Sequence, residues 1–482
     1  MSLGEERFTE ETGWEIYTGN ELLVKGAFET PGGVHLLTGY PGSPVAAFFD
    51  TITKLADLIK TKGICARIAN NEALSAAMVN GAQMMGLRAM TVFKSVGGHV
   101  AADALALANL AGTHPEGGAV IVFGDDPWSE STQVAADSRY LCEHLHMPVI
   151  EPATPQEIKD FVPLGFRLSQ ASGLCMGYIL TTALADGGGS VELRPNHWPQ
   201  RSMLNPGVIH TDQLNPEETV LLPPRTGRKE VNLPERYERL IAEARRLGVN
   251  TISGSFERAK IGFVVAGQSY QYLLTALSRL GLDGRFPILK LGLCYPLDER
   301  QVAEFASRLE NVVVVEERRG FVEKQLAELV NRVRQLNRGT RFADVWGKRF
   351  PSGHEGFPAA LGLHPSIVIQ CLVKFFRLAD PALAAQCGSR FERELALIRE
   401  VSSRKFDLPA RTPTFCPGCP HRDSASALLE ISQKFLDRDY MSKHYHREPV
   451  DLVFHGDTGC YTMLMFPPNE RLMHNYSGMG LG

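Results

Sequence analysis

Nowhere in the 482 residues is there a run approaching ~20 uninterrupted apolar side chains, so no membrane-spanning helix is expected. An excess of charge of either sign is also missing. Fifty basic and 54 acidic side chains leave a formal charge of -4, which excludes the electrostatic footprint expected for nucleic acid or an anionic membrane. Residues 1–30 carry Glu5, Glu6, Glu10, Glu11 and Glu15 and have no apolar core segment, so a signal or transit peptide is not expected. The nine cysteines are scattered and odd in number, unlike a secreted disulfide framework, and point to a reducing cytoplasm. Heptads, low-complexity tracts and short-period repeats are likewise lacking.

What is present is enough apolar residue, 44%, for several cores. At ~150 residues per domain, about three domains are expected. From Trp14 to Val191, β-rich runs (Val34–Thr38, Ala89–Phe93, Ala119–Phe123, Tyr178–Thr182) alternate with helical segments, which predicts a parallel α/β sheet. The stretch from Glu192 to about Glu243 is rich in Pro, Asn and charge and reads as a connector. Alternation resumes with strands Ile261–Ala266, Ile288–Gly292 and Val312–Glu316 and helices Tyr270–Leu280, Glu299–Leu309 and Val322–Leu336. A third region opens at Phe415 and has one further strand candidate, Asp451–His455.

Several groups of residues can carry chemistry. Cys416-Pro-Gly-Cys419 is a tight turn that aims two thiolates at one soft metal, zinc or iron, and Cys460 follows a Gly-Asp-Thr-Gly turn. Cys371 and Cys387 sit in apolar helical contexts and read as buried thiols. Tyr40-Pro-Gly42-Ser43-Pro44 follows a strand and precedes a helix. Ser43 as N-cap with Pro44 as first helical residue explains it structurally, yet ligands of open α/β sheets gather at such strand ends. Glu72 opens a small-residue helix behind Asn70 and Asn71. It either complements the helix dipole or is a desolvated carboxylate that exchanges a proton with a bound cofactor. Lys94-Ser95-Val96-Gly97-Gly98-His99 and Gly124-Asp125-Asp126-Pro127 read as βα loops, for ligand or solvent, and Ser131–Arg139 as a solvated helix start.

In order along the chain, Gly39–Pro44, Asn71-Glu72-Ala73, Lys94–Gly97, Phe123–Pro127, Asp137–Tyr140, Leu289–Gly292, Tyr295–Leu297, Val315–Glu317, Phe415–Arg422 and Gly456–Thr462 resemble the large subunit of the indolepyruvate-type 2-oxoacid:ferredoxin oxidoreductases. The resemblance implies thiamine diphosphate-binding, transketolase-like parallel-sheet domains plus a transketolase C-terminal-like α/β domain. Residues 1–191 would be the pyrimidine-binding domain and 192–258 a connector. Residues 259–380 would be the C-terminal-like domain with its following connector, and 405–482 the start of the diphosphate-binding domain.

By the same resemblance Glu72 is the catalytic carboxylate that pairs with the aminopyrimidine. Tyr40, Gly42, Ser43, Glu72 and Asp457 contact cofactor or substrate, and Cys416, Cys419 and Cys460 are ligands of a [4Fe–4S] cluster. The implied reaction is oxidative decarboxylation of a 2-oxoacid to an acyl-CoA, with thiamine diphosphate, Mg2+ and the cluster as cofactors, coenzyme A as co-substrate and ferredoxin as acceptor. Ser43 stands where the family commonly has Thr, so the hydroxyl is kept. The arginine that pyruvate-type relatives use for the substrate carboxylate has no counterpart here, which favours an aromatic, indolepyruvate-like 2-oxoacid. The magnesium and diphosphate motif and the fourth cysteine of relatives do not follow Gly478–Gly482, so a second subunit or further chain is expected to complete the sites of an oligomer. The competing reading is an inactive fold relative that binds metal or subunits. A non-redox thiamine decarboxylase would have no use for the cysteines.

Overall fold

A computed structural model describes residues 4–204, 220–257, 259–336, 342–409, 411–478 and 480. The chain forms two compact units, Met1–Ser403 and Arg404–Gly482.

The strands of the first unit are β1 (Trp14–Thr18), β2 (Leu36–Gly39), β3 (Cys65–Ile68), β4 (Arg88–Lys94), β5 (Gly118–Asp125), β6 (Val149–Ile150), β7 (Met176–Thr181), β8 (Gly188–Glu192), β9 (Thr251–Ser253), β10 (Ile261–Ala266), β11 (Ile288–Leu291), β12 (Leu293–Tyr295), β13 (Asn311–Val315) and β14 (Asp344–Trp346). A seven-stranded sheet runs β12-β6-β7-β5-β4-β2-β3. All its neighbours are parallel except β12 against β6. Strand β5 is buried at every position, as the apolar run from Ala119 to Phe123 requires of a central strand covered on both faces. Alternate residues feed two cores: Met90, Val92, Val120 and Val122 on one face, and Ala89, Phe93, Ala119, Ile121 and Phe123 on the other.

A five-stranded sheet, β14-β13-β10-β11-β9, stands beside the first and shares its second core through Val264, Ala266, Leu289, Leu291, Val312 and Val314. Its far face, with Phe263, Val265, Val313 and Val315, packs on the helices Ser269–Leu280 and Pro365–Ala379. Because β12 leaves the second group of strands to pair with β6, the two sheets are stitched by backbone hydrogen bonds as well as by apolar contact.

The stretch read as connector is more structured than its composition suggests. Helices Arg225–Val231 and Leu233–Arg246 lie in it, and β9 follows just beyond. Leu233, Arg236, Leu240 and Ala244 are buried at helical spacing, with the Arg236 guanidinium donating to the carbonyls of Asn109 and Leu110. Part of that stretch, 205–219, lies outside the described residues.

The second unit holds the helices Pro420–Leu436 and Arg438–Tyr445 and two short parallel strands, β15 (His455–Asp457) and β16 (Asn475–Ser477). The expected strand Asp451–His455 is displaced: 451–454 are irregular and pairing begins at His455. Its buried apolar cluster consists of Phe415, Ala425, Leu464 and Leu472. Among the described residues no helix is long and apolar enough to cross a membrane.

Candidate functional site at the carboxyl ends of the parallel sheet

Within the large sheet β2 is followed in sequence by β3 on one side, whereas β4 is followed by β5 on the other. The connections leaving the carboxyl ends of β2 and β4 therefore diverge, and the crevice opened by such a switch is where open α/β sheets take their ligands. The Tyr40–Pro44 turn leaves β2 there, and Lys94-Ser95 leaves β4.

The turn begins at Gly39, where a Cβ would fall 1.9 Å from the Val92 carbonyl oxygen and φ is +146°, so a side chain is excluded. Tyr40 N–H donates to the same carbonyl at 3.1 Å, pinning the turn to β4. Ser43 is not a helix cap. Val45 N–H closes a turn on Gly42 O at 2.9 Å, and the helix starts only at Ala46 with no side-chain cap. Ser43 is instead exposed, and its Oγ accepts a hydrogen bond from Ser131 Oγ at 2.9 Å. Ser131, read from sequence as part of a helix start, is in the loop after β5, and the helix begins at Ser138.

Glu72 is fully buried as the first residue of the helix Glu72–Met84, with Asn71 Oδ1 capping Leu74 N–H at 2.9 Å. Its carbonyl accepts from Ser75 Oγ at 2.7 Å, and Ser75 Oγ accepts from Thr91 Oγ1 at 2.9 Å, which ties this helix to β4. The carboxyl group lies against Gly97, where an added Cβ would be 2.4 Å from Glu72 Cγ and 2.5 Å from Oε1. Lys94–His99 is not a loop: β4 ends at Lys94 and a helix runs from Ser95 to Ala111. Gly97 and Gly98 are small because Glu72 and Phe123 occupy the space a side chain would need. Ser95 Oγ, on the same helix two residues before Gly97, is buried with no hydrogen-bond partner among the described residues, an orphaned polar atom that suits a bound polar ligand. His99 is exposed on the helix surface.

A charged layer lies between the two sheets, and Asp137 and Arg139, read from sequence as part of a solvated helix start, are buried in it. Arg139 donates twice to Asp137 at 2.8 Å, to Glu316 Oε2 at 3.2 Å and to Glu317 O at 3.1 Å. Burial pulls its pKa down, but Asp137, Glu151 and Glu316 outweigh that and hold it well above its ordinary value. Glu316 accepts the N–H groups of Val322 and Glu323, both at 2.9 Å, at a helix N-terminus. Burial pushes Glu151 up to about 7 and Glu317 to about 6. Asp125, held by Ser138 N–H and Oγ at 2.9 and 2.5 Å, is pushed by burial to about 7. The available signal was a charged pair, Glu316-Glu317, directly after four consecutive valines.

In the second unit Cys419 N–H donates to Cys416 O at 3.2 Å, closing the turn around Gly418 at φ +73°. Cys416 and Cys460 are exposed and Cys419 half-buried. Burial raises the Cys460 thiol pKa, and Cys419 and Cys416 raise it further, so the three sulfurs lie within electrostatic reach. His421 Nδ1 is 3.1 Å from Cys419 Sγ, its ring stacked on Phe415 and edge-on to Tyr461. Among the described residues no three His, Cys, Asp or Glu side chains are gathered at metal-holding distances. Asp457 ends β15, with Thr458 N–H on its Oδ1 at 2.6 Å. Cys371 and Cys387 pack at the edge of the second sheet's far core in the first unit.

These features define a class first: an α/β protein built on mostly parallel sheets. The fold superposes on a 2-oxoglutarate:ferredoxin oxidoreductase from Magnetococcus marinus, solved with 2-oxoglutarate, coenzyme A and succinyl-CoA bound. The TM-score is 0.54 at 14% identity, covering 75% of this chain and 65% of that one, a likeness of fold alone. Sequence narrows the class. Residues 251–386 match the family model of the indolepyruvate oxidoreductase domain. The indolepyruvate oxidoreductase subunit IorA of Pyrococcus abyssi is 29% identical over 94% of this chain and 62% of its own length. That of Archaeoglobus fulgidus is 30% identical over 94% and 64%. The chain is a relative of these IorA subunits, and it spans somewhat under two thirds of their length.

Proposed function

We propose that this chain is the thiamine- and cluster-bearing component of an indolepyruvate-type 2-oxoacid:ferredoxin oxidoreductase, acting on an aromatic 2-oxoacid. The observation that carries this reading is the buried Glu72 carboxyl lodged against the side-chain-free face of Gly97, at the end of a strand beside the sheet's switch point. A carboxyl so placed is screened from water and can hold or return one proton to a nitrogen of a bound aminopyrimidine. Tyr40, Gly42 and Ser43 lie on the turn that leaves β2, which the Tyr40 N–H fixes to β4.

In the second unit the Asp457 carboxylate suits Mg2+ and a diphosphate, and Cys416, Cys419 and Cys460 are the soft donors a [4Fe–4S] cluster requires. When bound, thiamine diphosphate supplies the electron sink for decarboxylation. Residues 1–191 and 259–380 are read as the pyrimidine-binding and C-terminal-like domains, and 405–482 as the opening of the diphosphate-binding domain. Coenzyme A accepts the acyl group and ferredoxin the electrons, in the cytoplasm. A second subunit or further chain completes the cofactor sites of an oligomer.

Two measurements test this. Anaerobic purification should give a brown protein with matching iron and sulfide; a colourless protein with stoichiometric zinc overturns the cluster assignment. In the assembled enzyme E72Q should abolish oxoacid-dependent dye reduction, and unchanged activity removes Glu72 from the mechanism.

A further inference from the structure

Ser131 is an exposed serine in the loop after β5, yet two buried charges of opposite sign hold its backbone. Asp126, 1% exposed, accepts Glu130 N–H on Oδ1 at 3.1 Å and Ser131 N–H on Oδ2 at 2.8 Å. Lys94, 3% exposed at the end of β4, donates from Nζ to Ser131 O at 2.5 Å. Burial lowers the lysine pKa and Asp126 works against that fall. Isolated buried charges are costly, so a carboxylate and an ammonium retained at one loop residue indicate that the position of that residue matters.

What the clamp fixes is the direction of one hydrogen. Ser131 Oγ carries a single hydrogen and has two acceptors in reach, Ser43 Oγ at 2.9 Å and Asp126 Oδ2 at 3.4 Å. Ser43 lies at an ordinary hydroxyl hydrogen-bond length, whereas 3.4 Å to Asp126 Oδ2 is long for an O–H donor. Ser43 Oγ thus accepts from Ser131, which leaves its own hydrogen to donate to another acceptor.

We propose that Ser131, clamped by Asp126 and Lys94, is a positioning residue that sets the Ser43 hydroxyl as a hydrogen-bond donor to an oxygen of an anionic 2-oxoacid. This deepens, and rests on, the function proposed above. A donor oriented before the substrate arrives needs no reorganisation on binding, which places the effect in KM for the oxoacid.

The test is a double-mutant cycle in the assembled holoenzyme, with KM for the 2-oxoacid and for coenzyme A measured separately. S43A and S131A should each raise the oxoacid KM about three- to tenfold, the size of one lost hydrogen bond, and leave the coenzyme A KM unchanged. The double variant should be no worse than S43A, because Ser131 acts only through Ser43. S131T, which keeps the hydroxyl at an exposed position, should restore wild-type KM. Losses that multiply in the double variant overturn the relay while leaving the function intact, as does a wild-type KM in S131A or an S131T as defective as S131A. A wild-type assembly that turns over no 2-oxoacid overturns the function, and the relay falls with it.

Discussion

Ser43, Glu72 and Lys94 stand at the ends of strands or on the turns and helices leaving them, in a sheet whose central strand is buried at every position. Cys416, Cys419 and Cys460 sit instead on a turn, a helix start and a short 3-10 helix over a cluster of Phe415, Ala425, Leu464 and Leu472. The first arrangement is set by backbone pairing and two-sided packing before any ligand arrives. The second has little apolar core, and a metal bound there would contribute directly to its folding.

The strongest way to break this comparison is to damage both cores. Phe123→Ala removes a fully buried ring that packs edge-on to Phe93 and against the position of Gly98, and should cost about 4 kcal/mol in a urea titration. Leu464→Ala should cost about 2 kcal/mol, because so thin a cluster collapses around the loss. Equal costs would show the second unit to be as firmly cored as the first.

Next in size is a pH effect confined to the first unit. His35 is buried, its Nδ1 accepts Arg88 N–H at 3.1 Å, and burial, then Arg88 and Arg201, depress its pKa from 6.5 to about 4. A depressed histidine favours the folded state fully above 6.5 and loses that contribution as pH falls through about 4. His35→Asn, which keeps an acceptor for Arg88, should reduce the acid loss by on the order of 3 kcal/mol at pH 4. Asp125 has the opposite sign. Raised from 3.8 to about 7, it favours folding below 3.8 and loses that contribution as pH rises through about 7. Denaturation series from pH 4 to 8 check both slopes, and identical slopes for wild type and His35→Asn would refute the neutral-imidazole account.

The smallest change in stability sharpens the comparison at the site itself. Gly97→Ala places a methyl 2.4 Å from Glu72 Cγ. It should cost about 1–2 kcal/mol in stability. Thiamine diphosphate binding, read by calorimetry on the assembled enzyme, should fall far more than that, since the carboxyl must leave its cradle. An alanine variant that binds the cofactor normally would show that the cradle is not needed.

Much of this was legible. The continuous apolar run of β5 and the resumption of alternation at Ile261 expose a parallel α/β plan, because central strands must be apolar on both faces. Asn71 stands just before the helix that Glu72 opens and caps Leu74. Ser43 misled, since the Gly42–Val45 turn closes before the helix can start. Lys94–His99 looked like a loop because two glycines usually mark one; here they make room for Glu72 and Phe123, neighbours only in space. The helix Leu233–Arg246 was hidden by its polar majority, although one buried stripe suffices to pack it.

By itself the sequence determined the strand-and-helix alternation, the CPGC turn and the family likeness, because each depends on residues close together in the chain or on their order along it. Only the tertiary structure decided that β12 crosses to the first sheet and that Arg139 meets Glu316. It also decided that Ser131 reaches Ser43, and that Gly97 stands empty for Glu72. Those contacts join residues that share no local pattern, and they come together only when the sheets pack.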